Sequence, residues 1–308
     1  MIKIPFSPYR FASEAKSRVS GVNVTLEFAN IESGLVKMAS KLRDDTIGPL
    51  TYDTIVAYYD PDDDAPVPGV PGEALDYLQR AILHLALYNE LIFLITRIGN
   101  DGITVKKNND ETTIFKYQQQ ELADALVETA WFWLGKLFSL LDANPALFPS
   151  WAASSQKQEV DSLPLSAADF NEWAGISNPY FVVTARWIIR EVWMDSVEAR
   201  FPGEIPSGMK RAVTRAVVYT VMEIACRRLA YAELPQPIRK DIDNEQSKYG
   251  KDKAEDTIRS SVAAAFGSKA ERYWKDIDRL IDEAKPRPTR KTDAAPDVRD
   301  NDKFAFVL

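Results

Sequence analysis

The stretch Glu73-Ala-Leu-Asp-Tyr-Leu-Gln-Arg-Ala-Ile-Leu-His-Leu-Ala-Leu-Tyr-Asn-Glu-Leu-Ile-Phe-Leu-Ile-Thr-Arg97 decides the class of fold. Leu75, Leu78, Ala81, Ile82, Leu85, Ala86, Ile92 and Phe93 recur at three- and four-residue steps, which predicts a helix. So much of its circumference is apolar that it belongs at the centre of a bundle. Upstream, Phe28–Asp45 repeats the period through Ile31, Leu35, Met38, Ala39 and Leu42. Between the two lies Asp60–Gly72, an acidic loop whose four prolines exclude regular structure. Downstream the period changes. Gly102–Val105 and Thr112–Phe115 flank a polar turn, which predicts a β-hairpin over about 102–116 with Asn108 and Asn109 at its tip. A third long helix is predicted over about Gln118–Asp142.

The second half reads in the same way. Residues 144–165, with Pro145, Pro149, Pro164 and several serines, are expected to be a linker. Ser166 and Asp169 suit a capping box, and Asn178-Pro179 opens a helix to about Arg200. A mostly apolar helix follows over Ser207–Tyr231, and a charged one over about Lys251–Ala284, broken near Gly267. Leu78-Gln-Arg-Ala-Ile-Leu83 aligns with Val213-Thr-Arg-Ala-Val-Val218 at an offset of 135, pairing Arg80 with Arg215. Ile31, Leu42 and Asp44 align with Val182, Trp193 and Asp195 at an offset of 151. The difference matches the extra acidic loop of the first half, and the pattern suggests an internal duplication. The expected architecture is mainly α, with two related helical-bundle domains, one hairpin and extended termini. The expected divisions are an N-terminal arm over 1–25, a first domain over 26–143, the linker over 144–165, a second domain over 166–284 and a tail over 285–308.

Composition narrows the function classes. At 308 residues, with 45% hydrophobic and 27% charged side chains, the chain is expected to be a soluble globular protein of about two domains. A net charge of -7 argues against a surface built throughout to hold nucleic acid. One cysteine and one histidine rule out an intramolecular disulfide and a Cys/His zinc cluster. Residues 1–10 lack the apolar core of a secretory signal, and His84, Asn89 and Glu90 interrupt the longest apolar run, so no membrane span is expected. A cytoplasmic origin is the resulting expectation.

Candidate chemistry is sparse. His84 and Cys226 both lie in apolar helical surroundings with no nucleophile or base marked beside them, which favours structural roles. The run Asp60–Asp64 lacks the central glycine and the ligand spacing of a calcium loop, and no glycine-rich phosphate loop is present. Trp131, Trp133, Trp173, Trp187, Trp193 and Trp274 stand at helical spacing among aliphatic residues, as core or interface residues do. No catalytic, cofactor or metal site is therefore assigned. The termini are more suggestive. Ile4, Phe6 and Tyr9 near the start, and Phe304, Phe306, Val307 and Leu308 at the end, are apolar groups set apart from the helical body. They are expected to dock on the chain itself or on a partner. Lys106, Lys107, Asn108 and Asn109 form a possible neighbour or DNA contact at the hairpin tip.

The series Leu78–Tyr88, Gly102–Val105, Phe148-Pro-Ser-Trp-Ala152, Ala168–Trp173, Ile176 and Arg186–Arg190 resembles, in order and spacing over about residues 25–235, a family encoded by phages and prophages of Bacteroidetes among their head and neck genes. The resemblance implies a virion protein of the head-to-tail connector or adaptor type. Such a subunit is helical, forms a homo-oligomeric ring of about 12 copies that closes through heterologous contacts, docks to the portal and other neck or tail proteins, and surrounds DNA in transit. The resemblance supplies no catalytic residues to carry over, and it places the protein in the virion neck, assembled in the host cytoplasm. Two other classes stay open: a monomeric helical-repeat binding or scaffold protein, and an enzyme using His84 or Cys226.

Overall fold

The computed structural model describes residues 2–19, 26–63, 65–99, 102–105, 116–249 and 255–285. These residues are mainly helical. The first half runs through α1 (Phe11–Arg18), α2 (Glu32–Lys41), α3 (Pro49–Val56) and α4 (Gly69–Ile95). Strands β1 (Thr96–Gly99) and β2 (Gly102–Val105) precede α5 (Lys116–Ala143). Short helices α6 (Pro149–Ala152), α7 (Ser155–Asp161) and α8 (Ala167–Ala174) follow. The second half continues with α9 (Pro179–Val192), α10 (Lys210–Arg228), α11 (Gln236–Tyr249) and α12 (Glu255–Ala284). The all-round apolar segment is α4, packed between α2 and α5, and α10 holds the corresponding position against α9 and α12.

Local chemistry explains several boundaries. The Asn178 Oδ1 atom accepts the Tyr180 N–H at 3.0 Å, and Pro179 occupies the first turn of α9, whose fixed backbone angle suits it. The Asp169 carboxylate accepts the Ser166 N–H at 2.8 Å at the start of α8. Gly175, at φ 68°, ends that helix in the left-handed region. Helices α2 and α9 both widen into a π-helical turn, over Leu42–Ile47 and Trp193–Glu198. The first ends at Gly48, at φ 93°, and the side chain of Gln156 donates to the carbonyl of Asp44 at 2.9 Å.

The structure departs from the expected layout at several places, and the first is that α4 starts at Gly69, so Pro71 lies in the first turn of a helix where the proline-rich stretch Asp60–Gly72 was expected to exclude regular structure. Strand β2 pairs antiparallel with β1, with Thr96 opposite Val105 and Gly99 opposite Gly102. The chain thus leaves its helix two residues earlier than predicted, where the β-branched residues Thr96 and Ile98 favour extended backbone. The rest of the predicted hairpin, residues 106–115, lies outside the described residues. Helix α12 runs through Gly267 without a break. A Cβ there would lie 2.8 Å from the Glu223 carboxyl carbon, so the glycine serves the close approach of α12 to α10. Residues 144–165 are not an open linker, since they form α6 and α7 and bury Phe148, Trp151 and Leu165. Residues 2–19 are not an extended arm either. Tyr52 Oη donates to the Lys3 carbonyl at 3.1 Å, Gln79 Nε2 donates to the Pro5 carbonyl at 2.6 Å, and Phe6 packs edge-on against Phe11.

A column of rings crosses the middle of the molecule. Trp151 meets Phe138 at 5.4 Å, Phe138 meets Tyr180 at 6.4 Å, and Tyr180 meets Trp131 at 4.9 Å. Trp131 then stacks on Phe181 at 6.5 Å, which meets Phe170 edge-on at 5.2 Å. The buried apolar residues of both halves form one continuous cluster. One core implies one cooperative unit. We expect tryptophan fluorescence and far-ultraviolet circular dichroism to report coincident urea transitions. Trp131→Ala should shift both together by about 3–5 kcal/mol. Two separated transitions would show that the halves fold independently.

Candidate functional site

The reactive side chains are sealed. His84 is buried on α4 and its Nδ1 lies 2.7 Å from the Arg80 carbonyl, so that nitrogen carries the proton and donates. Burial lowers its pKa, and the neighbouring Arg80 charge acts in the same direction. Cys226 is fully buried, and burial pushes its thiol up to about 12, far from the thiolate that nucleophilic work requires. Among the described residues no group of three or more His, Cys, Asp or Glu side chains could hold a metal ion.

The candidate interface residues divide. Phe6 is buried in the chain's own core and Ile4 is half-buried against it, whereas Tyr9 is 98% exposed. Phe304, Phe306, Val307 and Leu308 lie outside the described residues, as do Lys106, Lys107, Asn108 and Asn109. Trp131 and Trp274 are core residues, Trp133, Trp173 and Trp193 are half-buried, and Trp187 is exposed. The acidic loop rims a cleft of about 860 Å³ that also contains Arg10, Glu14, Arg18, Tyr59 and Asp76. Its charges are largely matched from within. Tyr59 Oη donates to Glu14 at 2.7 Å, Arg18 donates to Gln79 at 2.5 Å, and Arg80 meets Asp76 at 2.6 Å.

A polar cluster lies where the α10–α11 connection crosses α5, and nothing in the sequence marked it. Tyr231 Oη is 2.6 Å from Asp124 and 2.9 Å from Asp243, and Gln120 Nε2 donates to it at 3.2 Å. A phenol has one proton and two lone pairs. If that proton goes to Asp124, the contact with Asp243 needs a proton on the Asp243 carboxyl. Burial together with the Asp124 charge raises Asp243 from 3.8 to about 6, so its carboxyl can carry that proton only below about pH 6. Nearby, Arg239 is only 2% exposed and pairs with Glu128 at 2.6 Å. Lys41 of α2 bridges to Glu233, and Trp131 Nε1 donates to the Ala232 carbonyl at 2.8 Å. The cluster therefore fastens the connection onto α2 and α5.

Because the folded state holds that proton more tightly than the unfolded chain, the stabilisation is complete below about pH 4 and is lost as pH rises through about 6. Asp243→Asn removes the loss. At about pH 7.5 the variant should be more stable than the parent by roughly 1 kcal/mol, after allowing for solvent screening of a half-exposed group. At about pH 4.5 the gain should vanish. Urea titrations at the two pH values test this, and an equal gain at both would show that Asp243 does not carry the proton.

The chain is similar over residues 36–160 to a family of unknown function (DUF6712). That stretch runs from within α2 into α7 and so covers residues 144–160 of the expected linker, whose Gln156 closes the first π-helical turn. No curated protein and no solved structure matches the chain.

Proposed function

We propose that the protein is a structural subunit of a phage neck. It is a connector or adaptor that acts as a cyclic homo-oligomer of about 12 copies, docks to the portal and encloses the DNA channel. The observation that carries this reading is how the side chains are distributed. The histidine and the cysteine are locked in the core, while Tyr9, Leu50, Phe132 and Met194 are more than half exposed. Such a surface serves contacts rather than bond-making. An acidic protein around DNA in transit also avoids holding it. The segment Lys106–Asn109 is a channel or neighbour contact in this reading, and Phe304–Leu308 clasps a partner.

Internal duplication belongs to the same proposal. The two π-helical turns support it, since Leu42 and Trp193, like Ile47 and Glu198, are 151 residues apart, the offset of the aligned motifs. So do the aligned arginines. Arg80 lies 4.7 Å over the Trp133 ring of α5, and Arg215 lies 3.8 Å over the Tyr273 ring of α12. The second reading, a monomeric scaffold, is favoured by a groove of about 720 Å³ between the halves, lined by Lys41, Tyr88, Asn89, Tyr231 and Glu233.

Light scattering of the purified chain, alone and with the portal from the same genome, separates the two. A discrete ring-sized or portal-dependent species is expected. A monomer at every concentration that ignores the portal would remove the connector reading. Deleting Lys303–Leu308 should abolish partner binding without lowering the melting temperature, and unchanged assembly after the deletion would refute the role of the tail.

A further inference from the structure

Helices α8, α10 and α12 present a face unlike the rest of this acidic molecule. The Arg215 guanidinium sits 5.0 Å from the Trp173 ring and 3.8 Å from the Tyr273 ring. Arg211 covers the Trp173 ring at 5.2 Å, and Arg272 covers the Tyr273 ring at 4.9 Å. Lys269 extends the same face, 5.4 Å over Tyr219, which itself packs 5.4 Å from Tyr273. Arg211 pairs with Glu172 at 2.7 Å. Arg215 and Arg272 both donate to Tyr273 Oη, the latter at 2.9 Å, and neither they nor Lys269 has a carboxylate in ion-pair range among the described residues. The face thus holds three cations with no ion-pair partner among the described residues.

The acidic loop has the opposite imbalance. Asp60, Asp62 and Asp63 are exposed, and none of them has a cation in ion-pair range among the described residues. The loop is held in shape. Asp60 accepts the Asp62 N–H and Asp63 accepts the Ala65 N–H, each at 2.9 Å, and Arg10 donates to the Asp60 carbonyl at 3.1 Å. With Pro61, Pro66 and Pro68 beside them, these carboxylates are presented with little entropy left to lose. No ion pair among the described residues joins the loop to the basic face of its own chain.

We propose that the basic face of α8, α10 and α12 receives the Asp60–Asp63 loop of a second copy of this chain. The loop belongs to the first half and the face to the second, so the contact is head-to-tail and closes a ring when its rotation allows. Nucleic acid is the poorer occupant. The Trp173 and Tyr273 rings are already covered by the chain's own guanidinium groups, which leaves no open ring for a base to stack on, and the net charge of -7 opposes a polyanion. The inference rests on the reading of the chain as a self-associating subunit, and it names the surfaces that join.

Sedimentation velocity of the full chain tests it with two charge reversals at exposed positions. One carries Lys269→Glu and Arg272→Glu, the other Asp62→Lys and Asp63→Lys, and circular dichroism confirms that each is folded. The parent should self-associate with concentration and dissociate as salt rises. Each variant alone should associate at least about tenfold more weakly, and a mixture of the two should recover association because reversed loop meets reversed face. Association unchanged in both variants would overturn this contact and leave the ring reading standing. A parent that stays monomeric would overturn both. Duplex DNA binding by the parent that is lost in the Lys269→Glu, Arg272→Glu variant would assign the face to nucleic acid instead.

Discussion

The packing of Trp131 against the start of α9 holds the two halves of this molecule in one body. The indole meets Tyr180 edge-on and Phe181 face-on, its N–H reaches the Ala232 carbonyl, and its own carbonyl accepts Asn178 Nδ2 at 2.7 Å. Asn178 therefore serves two purposes, capping α9 with its oxygen and fastening α5 with its nitrogen. Gly135 lies one turn along α5, where a Cβ would stand 3.0 Å from Asn178 Oδ1, so the absence of a side chain permits the approach. An indole has a large apolar surface and one donor, and buried donors must be satisfied. Both needs are met by residues of the other half, which is why α6 to α8 lie against the core rather than hang between two domains.

The charges follow from the same packing. The connection after α10 has to cross α5, and its backbone and side chains need partners there. Tyr231, Asp124 and Asp243 supply them at the cost of crowding two carboxyl groups, which together with burial raises the pKa of Asp243. At the other end of the molecule, Gln79 on the central helix holds Pro5 with its amide nitrogen and Arg18 with its amide oxygen. That one buried side chain turns an apparently free N-terminal segment into part of the core.

Much of the fold was legible because helical periodicity is a local property. The apolar steps of α2, α4, α5, α9 and α10, the cap at Asn178-Pro179 and the box at Ser166–Asp169 were all readable from neighbouring residues. Helices α1, α3 and α11 escaped, since they are short or dominated by polar residues and gain their stability from what they pack against. The pairing of β2 escaped because a short apolar run does not announce its partner. The Tyr231 cluster was invisible in the same sense, since Gln120 and Asp124 stand more than a hundred residues from Tyr231.

Taken alone, the sequence determined the helical class, the central place of α4 and α10, the absence of a disulfide or a Cys/His zinc cluster within the chain, and the acidic proline-rich loop that sets one half apart from the other. These follow from composition and short-range spacing. Tertiary structure alone decided that the halves share a core, that Phe6 lies buried while Tyr9 is left in solvent, and that Arg211, Arg215, Lys269 and Arg272 meet on one face. Those outcomes depend on which helix faces approach, and that is set by ring packing and hydrogen-bond satisfaction between residues far apart in the chain.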